Sequence, residues 1–183
     1  MWDEFLNYVK EVADDFLEVS KSDEFPVKIV GNLDSDGITS VSILMKALSR
    51  KDVKFSVSII EQINEKILEE LSRENYEKIF FVDLGSGCLK AISEVLKSKV
   101  YVLDHHIPDI IEKKIGNVVH VNPHLFGIDG TKSISAAGVT YFFAKSLDEN
   151  NIDLAYLGLI GAIGDIQEEM GFKDLNEKIL EDA

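Results

Sequence analysis

The chain has 183 residues, 45% of them hydrophobic and 28% charged, with a formal net charge of -14. That composition excludes a disordered chain, and the length suits a single domain with one sizeable core. The acidic balance argues against broad adhesion to nucleic acid through a basic face; no apolar run is long enough to span a bilayer; and a lone cysteine, Cys88, rules out an internal disulfide.

No basic stretch leading into an apolar core marks a secretory signal, so a reducing cytoplasm is the expected compartment. Trp2, Phe5, Leu6, Val9, Ala13, Phe16 and Leu17 recur at helical spacing and predict an N-terminal helix that ends before Pro26. Five short apolar runs then read as buried strands: Val27 to Val30, Phe55 to Ile60, Ile79 to Val82, Val100 to Leu103 and Val118 to Val121. Helical periodicity fills the gaps at Ile38 to Leu48, Ile63 to Leu71 and Leu89 to Leu96. Strand alternating with helix predicts βαβ units and an α/β fold: a five-stranded, mostly parallel sheet flanked by helices. Beyond Asn122 the pattern turns helical, at Ala136 to Leu147, Leu154 to Ile163 and from Leu175.

Three of the strands run into aspartate. The first leads to Asn32-Leu33-Asp34-Ser35-Asp36-Gly37, the third to Asp83-Leu84-Gly85-Ser86-Gly87, and the fourth to Asp104-His105-His106. In open parallel sheets ligands bind at the carboxyl ends of strands, so these groups are expected to meet at one edge. Asp165 is the single charge in a long apolar stretch and needs a partner there. So many carboxylates beside a histidine pair would repel one another, and divalent cations would resolve the conflict. Mixed carboxylate and imidazole ligands suit Mn²⁺, with Mg²⁺, Zn²⁺ or Co²⁺ as competitors. Two cations about 3.5–4 Å apart can clamp a phosphodiester.

Each piece also has a plainer reading. Asp-x-Asp-Gly after a strand is an ordinary turn, and Asp83 or Ser135 can be a helix N-cap. Asp165 can be a structural carboxylate. His120 lies within a strand and reads as structural, His124 as a loop residue and Cys88 as a small buried one. Ordered together at element ends, the acids and histidines point to a shared site.

Those motifs resemble the DHH-family phosphoesterases. Asp104-His105-His106 matches the triplet that names the family. Asp34-Ser35-Asp36-Gly37-Ile38-Thr39-Ser40 resembles its first motif, Asp83 with Gly-Ser-Gly its second, and Gly161-Ala162-Ile163-Gly164-Asp165-Ile166-Gln167 its last. The stretch that runs on to Gly171-Phe172 is most similar to the archaeal RecJ-like subgroup, and the likeness extends from Val27 to the end of the chain.

The resemblance implies two Mn²⁺ ions. Asp34 would bind one and Asp36 the other, with Asp83 bridging; His105 and Asp165 would bind beside Asp36. Asp104 would orient the metal-bound histidine, and His106 would face the substrate phosphate. Asn32 departs from the pattern, because the family usually has histidine or aspartate there, and a neutral amide is a weak ligand or none. A helix opening at Ser133-Ile134-Ser135-Ala136-Ala137-Gly138 offers free N–H groups to an anion, so Ser135, Ala137 and Gly138 are further phosphate candidates.

The implied function is metal-dependent phosphodiester hydrolysis: a 5′-to-3′ exonuclease on single-stranded DNA or RNA in replication or repair. Two alternatives follow from the same family. One is a catalytically weak scaffold of the replicative helicase complex, with a protein partner there; the other is a phosphoesterase for small nucleotides. Residues 1–183 are expected to form one DHH domain, a fragment of a longer protein lacking the C-terminal substrate-binding domain. No membrane partner is implied.

Overall fold

The computed structural model describes residues 1–20, 25–169 and 171–183. In chain order they form α1 (Trp2–Ser20), β1 (Val27–Asn32), α2 (Ser35–Arg50), β2 (Phe55–Ile60), α3 (Glu65–Arg73), β3 (Lys78–Val82) and α4 (Leu89–Val95). Then come β4 (Lys99–Leu103), β5 (Lys114–Ile115), β6 (Val118–Val121), α5 (Ala136–Leu147), α6 (Ala155–Gly164) and α7 (Asp174–Asp182). Short 3₁₀ turns lie at Pro123–Phe126 and Glu149–Leu154.

The sheet runs β2-β1-β3-β4-β6-β5, parallel throughout except where β5 meets β6. The α/β class and the parallel sheet are as expected, but the sheet has six strands rather than five. The extra strand, β5, is a two-residue antiparallel edge in a lysine-rich run. It has no apolar alternation to betray it, and a short charged edge resists pairing with other chains. Gly116 turns the chain into β6 at φ 56°, a left-handed geometry that glycine adopts freely.

Strand side chains alternate between two cores, as a period of two requires. Ile29, Phe80, Val82, Tyr101 and Leu103 face α1, α2, α5 and α7. Val30, Ile79, Phe81, Val100 and Val102 face α3 and α4. Phe80 stacks on Tyr101 at 4.8 Å and meets the edges of Phe16 at 5.1 Å and Phe143 at 5.6 Å, so α1 and α5 close the larger face.

Strand order reverses at β1, which lies between β2 and β3. The loops leaving β1 and β3 therefore part to opposite sides and open a crevice at the carboxyl edge. β1 extends to Asn32, two residues past its apolar run, and α2 starts at Ser35 rather than Ile38. Both extensions are polar, so apolar periodicity does not register them. Among the described residues no helix is long and apolar enough to cross a membrane.

Truncating Phe80 to alanine should remove the contact that joins both sides of the larger core. The expected loss is about 3–5 kcal/mol, read as a lower urea midpoint with an unchanged slope. A loss below about 1 kcal/mol would mean that the aromatic cluster is not the seat of this core's stability.

Candidate metal centre

The ladder hydrogen bonds continue one residue past the strands. Asp83 N donates to Leu103 O at 3.0 Å, and Asp104 N to Val121 O at 3.1 Å. The two aspartates are thus fixed by the sheet itself. Asp83 also sits at φ 59°, a conformation that costs a non-glycine residue about 1–3 kcal/mol and tends to occur at functional sites.

His105 is the centre of the cluster. Its Nε2 lies 3.2 Å from Asp165 Oδ2, 3.5 Å from Asp83 Oδ1 and 3.7 Å from Asp36 Oδ2. Burial alone would lower its pKa, but the adjoining Asp83, Asp36 and Asp104 carboxylates and the Gly130 carbonyl raise it to about 10. In the metal-free chain an imidazolium therefore holds the place between three carboxylates where a cation would fit.

The carboxylates differ in how they are satisfied. Asp104 is buried, and its oxygens accept from Ser86 N, His105 N, His106 N and His106 Nδ1 at 2.7–3.2 Å. Burial would raise it, yet the His106 hydrogen bond, both histidine charges and the Ser86 N–H hold it well below the usual range. Asp36, fully buried, spans the start of α5: Ala136 N donates to its Oδ2 at 2.7 Å and Ala137 N to its Oδ1 at 2.9 Å. Gly161 leaves room for it, since a Cβ there would lie 2.3 Å from Asp36 Oδ1.

Asp83 is the exception. It is 1% exposed, and neither carboxylate oxygen has a hydrogen-bond partner. Burial is the main reason that its pKa rises to about 7, and burial likewise lifts Asp165 to about 6. An ionised carboxylate left bare in the interior is costly, and a divalent cation would satisfy it. Single ligand atoms of Asp83, Asp104, His105 and His106 lie within 4.8 Å of one another, as do those of Asp36, His105 and Asp165. Carboxylate and imidazole donors in two such groups sharing one histidine fit a pair of hard divalent cations.

The structure places the other expected site residues as follows. The α5 N–H groups assigned to phosphate are engaged: Ala137 N by Asp36, and Gly138 N by the N-cap hydroxyl of Ser135. Ser135, Ala137 and Gly138 are buried as well, and that helix end anchors the Asp36 carboxylate. Asp104 orients His106, through Nδ1 at 2.7 Å, whereas His105 Nδ1 donates to Gly130 O at 2.7 Å. Asp34 stands outside both ligand groups; it caps α2 by accepting from Gly37 N at 2.9 Å, and its other oxygen accepts from Asn32 Nδ2 at 3.1 Å. The Asn32 amide oxygen in turn accepts from Leu33 N at 2.7 Å. Asn32 and half-exposed His106 line one cleft with Glu61, Asp83, Cys88 and Ile107.

Ser86, Asn122 and His120 form a buried chain behind the histidines: Asn122 Nδ2 donates to Ser86 Oγ at 2.8 Å and to His106 O at 2.9 Å, and Ser86 Oγ lies 2.9 Å from His120 Nε2. Ser86 stands in the Gly-Ser-Gly of the second motif, but its pairing with Asn122 and His120 is a tertiary contact that spacing does not show.

The family model described as the N-terminal domain of the DHH family matches residues 26–162. An uncharacterized protein of Methanocaldococcus jannaschii is 35% identical over 147 residues, which cover 77% of this chain and 33% of that protein. The single-stranded-DNA-specific exonuclease RecJ of Bacillus subtilis is 24% identical over 174 residues, 88% of this chain and 22% of that enzyme. A crystal structure of exonuclease RecJ bound to manganese superposes with a TM-score of 0.75 at 24% identity, covering 95% of this chain and 46% of that one. The chain thus spans a third or less of the curated relatives it matches.

Asp83 gives the centre a test that needs no substrate. Its folded pKa is raised, so the ionised form destabilises the metal-free fold; the penalty grows as pH climbs from about 4 through about 7 and is absent in acid. In chelator at pH 8, Asp83→Asn should therefore melt higher than wild type, by roughly 2–4 °C per kcal/mol relieved. The difference should fade toward pH 5. Millimolar Mn²⁺ should reverse the order, stabilising wild type by about 2.7 kcal/mol at a hundredfold excess over Kd and the variant far less. Equal melting of the two proteins in chelator and in Mn²⁺ would sink the assignment.

Proposed function

Because the chain belongs to the DHH family, we propose that it forms the metal-binding part of a RecJ-like phosphodiesterase that hydrolyses single-stranded nucleic acid from the 5′ end. The observation that carries this reading is Asp83, buried within one of the two ligand groups with neither oxygen hydrogen-bonded. The preferred cations are two Mn²⁺ ions, with Mg²⁺, Co²⁺ or Zn²⁺ as substitutes. Asp36, His105 and Asp165 would hold one; Asp83 would serve the other, and Asp34, at the mouth of the site, would join it once its carboxylate turned from Asn32. Bound there, the cations would supply Lewis acidity toward a phosphodiester and a nucleophilic water at neutral pH.

The chain's own groups do the positioning. The α5 N–H groups hold the Asp36 carboxylate, so it needs no reorganisation to serve as a ligand. Asp104 fixes the His106 ring by Nδ1, which leaves Nε2 free to donate to a phosphate oxygen in the cleft. Exposed Ile107 lines the cleft beside His106, an apolar surface suited to a base. A second domain of the whole protein would close over the metals and grip the strand. The RecJ relative, named for single-stranded DNA, favours that substrate, in replication or repair.

The assay is Mn²⁺-dependent nucleotide release from 5′- or 3′-labelled single-stranded DNA and RNA by the full-length protein. Asp36→Ala and Asp83→Ala should fall to background. If Asp83→Ala keeps wild-type turnover, the two-metal reading is wrong.

Asn32 sets how strongly the outer cation is held. Asn32→His replaces a neutral amide with an imidazole, a better ligand for Mn²⁺, and frees Asp34 from the Asn32 hydrogen bond. Tighter Mn²⁺ binding by calorimetry and faster hydrolysis are expected together. Tighter metal without faster hydrolysis would favour the scaffold reading, and no change in either would place Asn32 outside the centre.

A further inference from the structure

Gly130 O accepts two hydrogen bonds, from His105 Nδ1 at 2.7 Å and from Gln167 Nε2 at 3.1 Å. A carbonyl only accepts, so Nδ1 carries the proton and Nε2 is the nitrogen turned to Asp36, Asp83 and Asp165. Gln167 is buried, and its Oε1 accepts from Asn176 Nδ2 at 2.7 Å. Fully buried Asn176 belongs to α7, and its backbone N donates to Ser133 O at 3.0 Å. A flipped Gln167 amide would set oxygen against the Gly130 oxygen, so the network has one consistent orientation.

The backbone has been bent to make this contact. α6 ends with Gln167 N donating to Ala162 O and Ile166 N to Ile163 O, a Schellman pair with Ile166 in the left-handed position at φ 57°. That place is ordinarily glycine's, and a β-branched residue there is a true outlier. The turn presents Asp165 to His105 and Gln167 to Gly130 from adjoining positions. Gly130 accepts no substitute, because a Cβ would lie 2.1 Å from His105 O.

We propose that Gln167, braced by Asn176, is a positioning residue for the metal centre: it clamps the Gly130 carbonyl that sets the plane of the His105 ring, and so ties α7 to metal affinity. The inference rests on reading His105 as a metal ligand. Loss of such a supporting partner typically weakens metal binding 10- to 100-fold.

The variants are Gln167→Glu, which keeps shape but turns an oxygen toward Gly130 O, and Gln167→Met, which keeps volume without a donor. Calorimetric Mn²⁺ titration of the full-length protein should show roughly 10- to 100-fold weaker binding in both. In the metal-free protein the His105 Nδ1–H resonance, slow to exchange in wild type, should broaden or vanish. A residue that merely fills space would leave affinity and resonance intact in Gln167→Met. Should Gln167→Glu fail to fold, Gln167→Met and Asn176→Ala carry the test. Variants that match wild-type affinity within twofold, with the resonance unmoved, overturn this inference alone. A wild type that binds no Mn²⁺ at millimolar concentration overturns the metal reading and this inference with it.

Discussion

Five aspartates and two histidines converge where β1, β3 and β4 end, and the fold must hold that charge together without letting it drive the loops apart. Each carboxylate meets the problem differently. Asp104 is saturated by N–H donors from Ser86 and both histidines. Asp36 lies across the start of α5, where free N–H groups and the helix dipole favour an anion. Asp34 caps α2, and Asp165 keeps partial contact with solvent. Asp83 accepts no hydrogen bond and has only the histidines nearby, His105 Nε2 at 3.5 Å from its Oδ1. This order of satisfaction separates carboxylates that build the site from those with lone pairs left for a cation.

The same order explains what the sequence makes legible. Buried parallel strands are continuous apolar runs, so the five main strands and the helices between them stand out from composition alone. β5 is too short and too charged to register. That Asp83, Asp104 and His105 share one edge follows from strand polarity, and the chain bears it out. The ends of α2 and α5 are harder. A serine followed by small residues looks the same whether its helix receives a phosphate or a carboxylate from 100 positions away. Only tertiary structure shows that Asp36 has already taken the place. The division of labour between the histidines is equally hidden, since His105 and His106 are neighbours with identical chemistry and differ only in what their Nδ1 atoms meet.

Two of the five non-glycine residues with positive φ among the described residues lie at or beside the site. Asp83 and Ile166 both adopt left-handed conformations that their side chains disfavour, at a cost of about 1–3 kcal/mol each. Both are held by hydrogen bonds of regular structure, Asp83 through the strand ladder and Ile166 through the closing turn of α6. Rigid elements thus absorb the strain, and the side chains beside them gain fixed directions. Asp83 lines the cleft; Asp165 meets His105 Nε2, and Gln167 meets the Gly130 carbonyl bonded to His105 Nδ1.

The overall charge then acquires a meaning that composition could not supply. A chain at -14 repels a polyanion at long range, but that repulsion is screened beyond a Debye length of about 8 Å at physiological salt. Within the crevice the balance depends on the buried carboxylates. Without cations they are offset by protons on His105 and on the raised Asp83 and Asp165. Cations at the same place would release those protons, offset the carboxylates and turn their open coordination positions to the cleft. On the proposed reading, an acidic surface around such a crevice would discriminate by contact, attracting a phosphodiester only where it could touch the cations. The site would then hold one scissile bond and have little purchase on the rest of a strand.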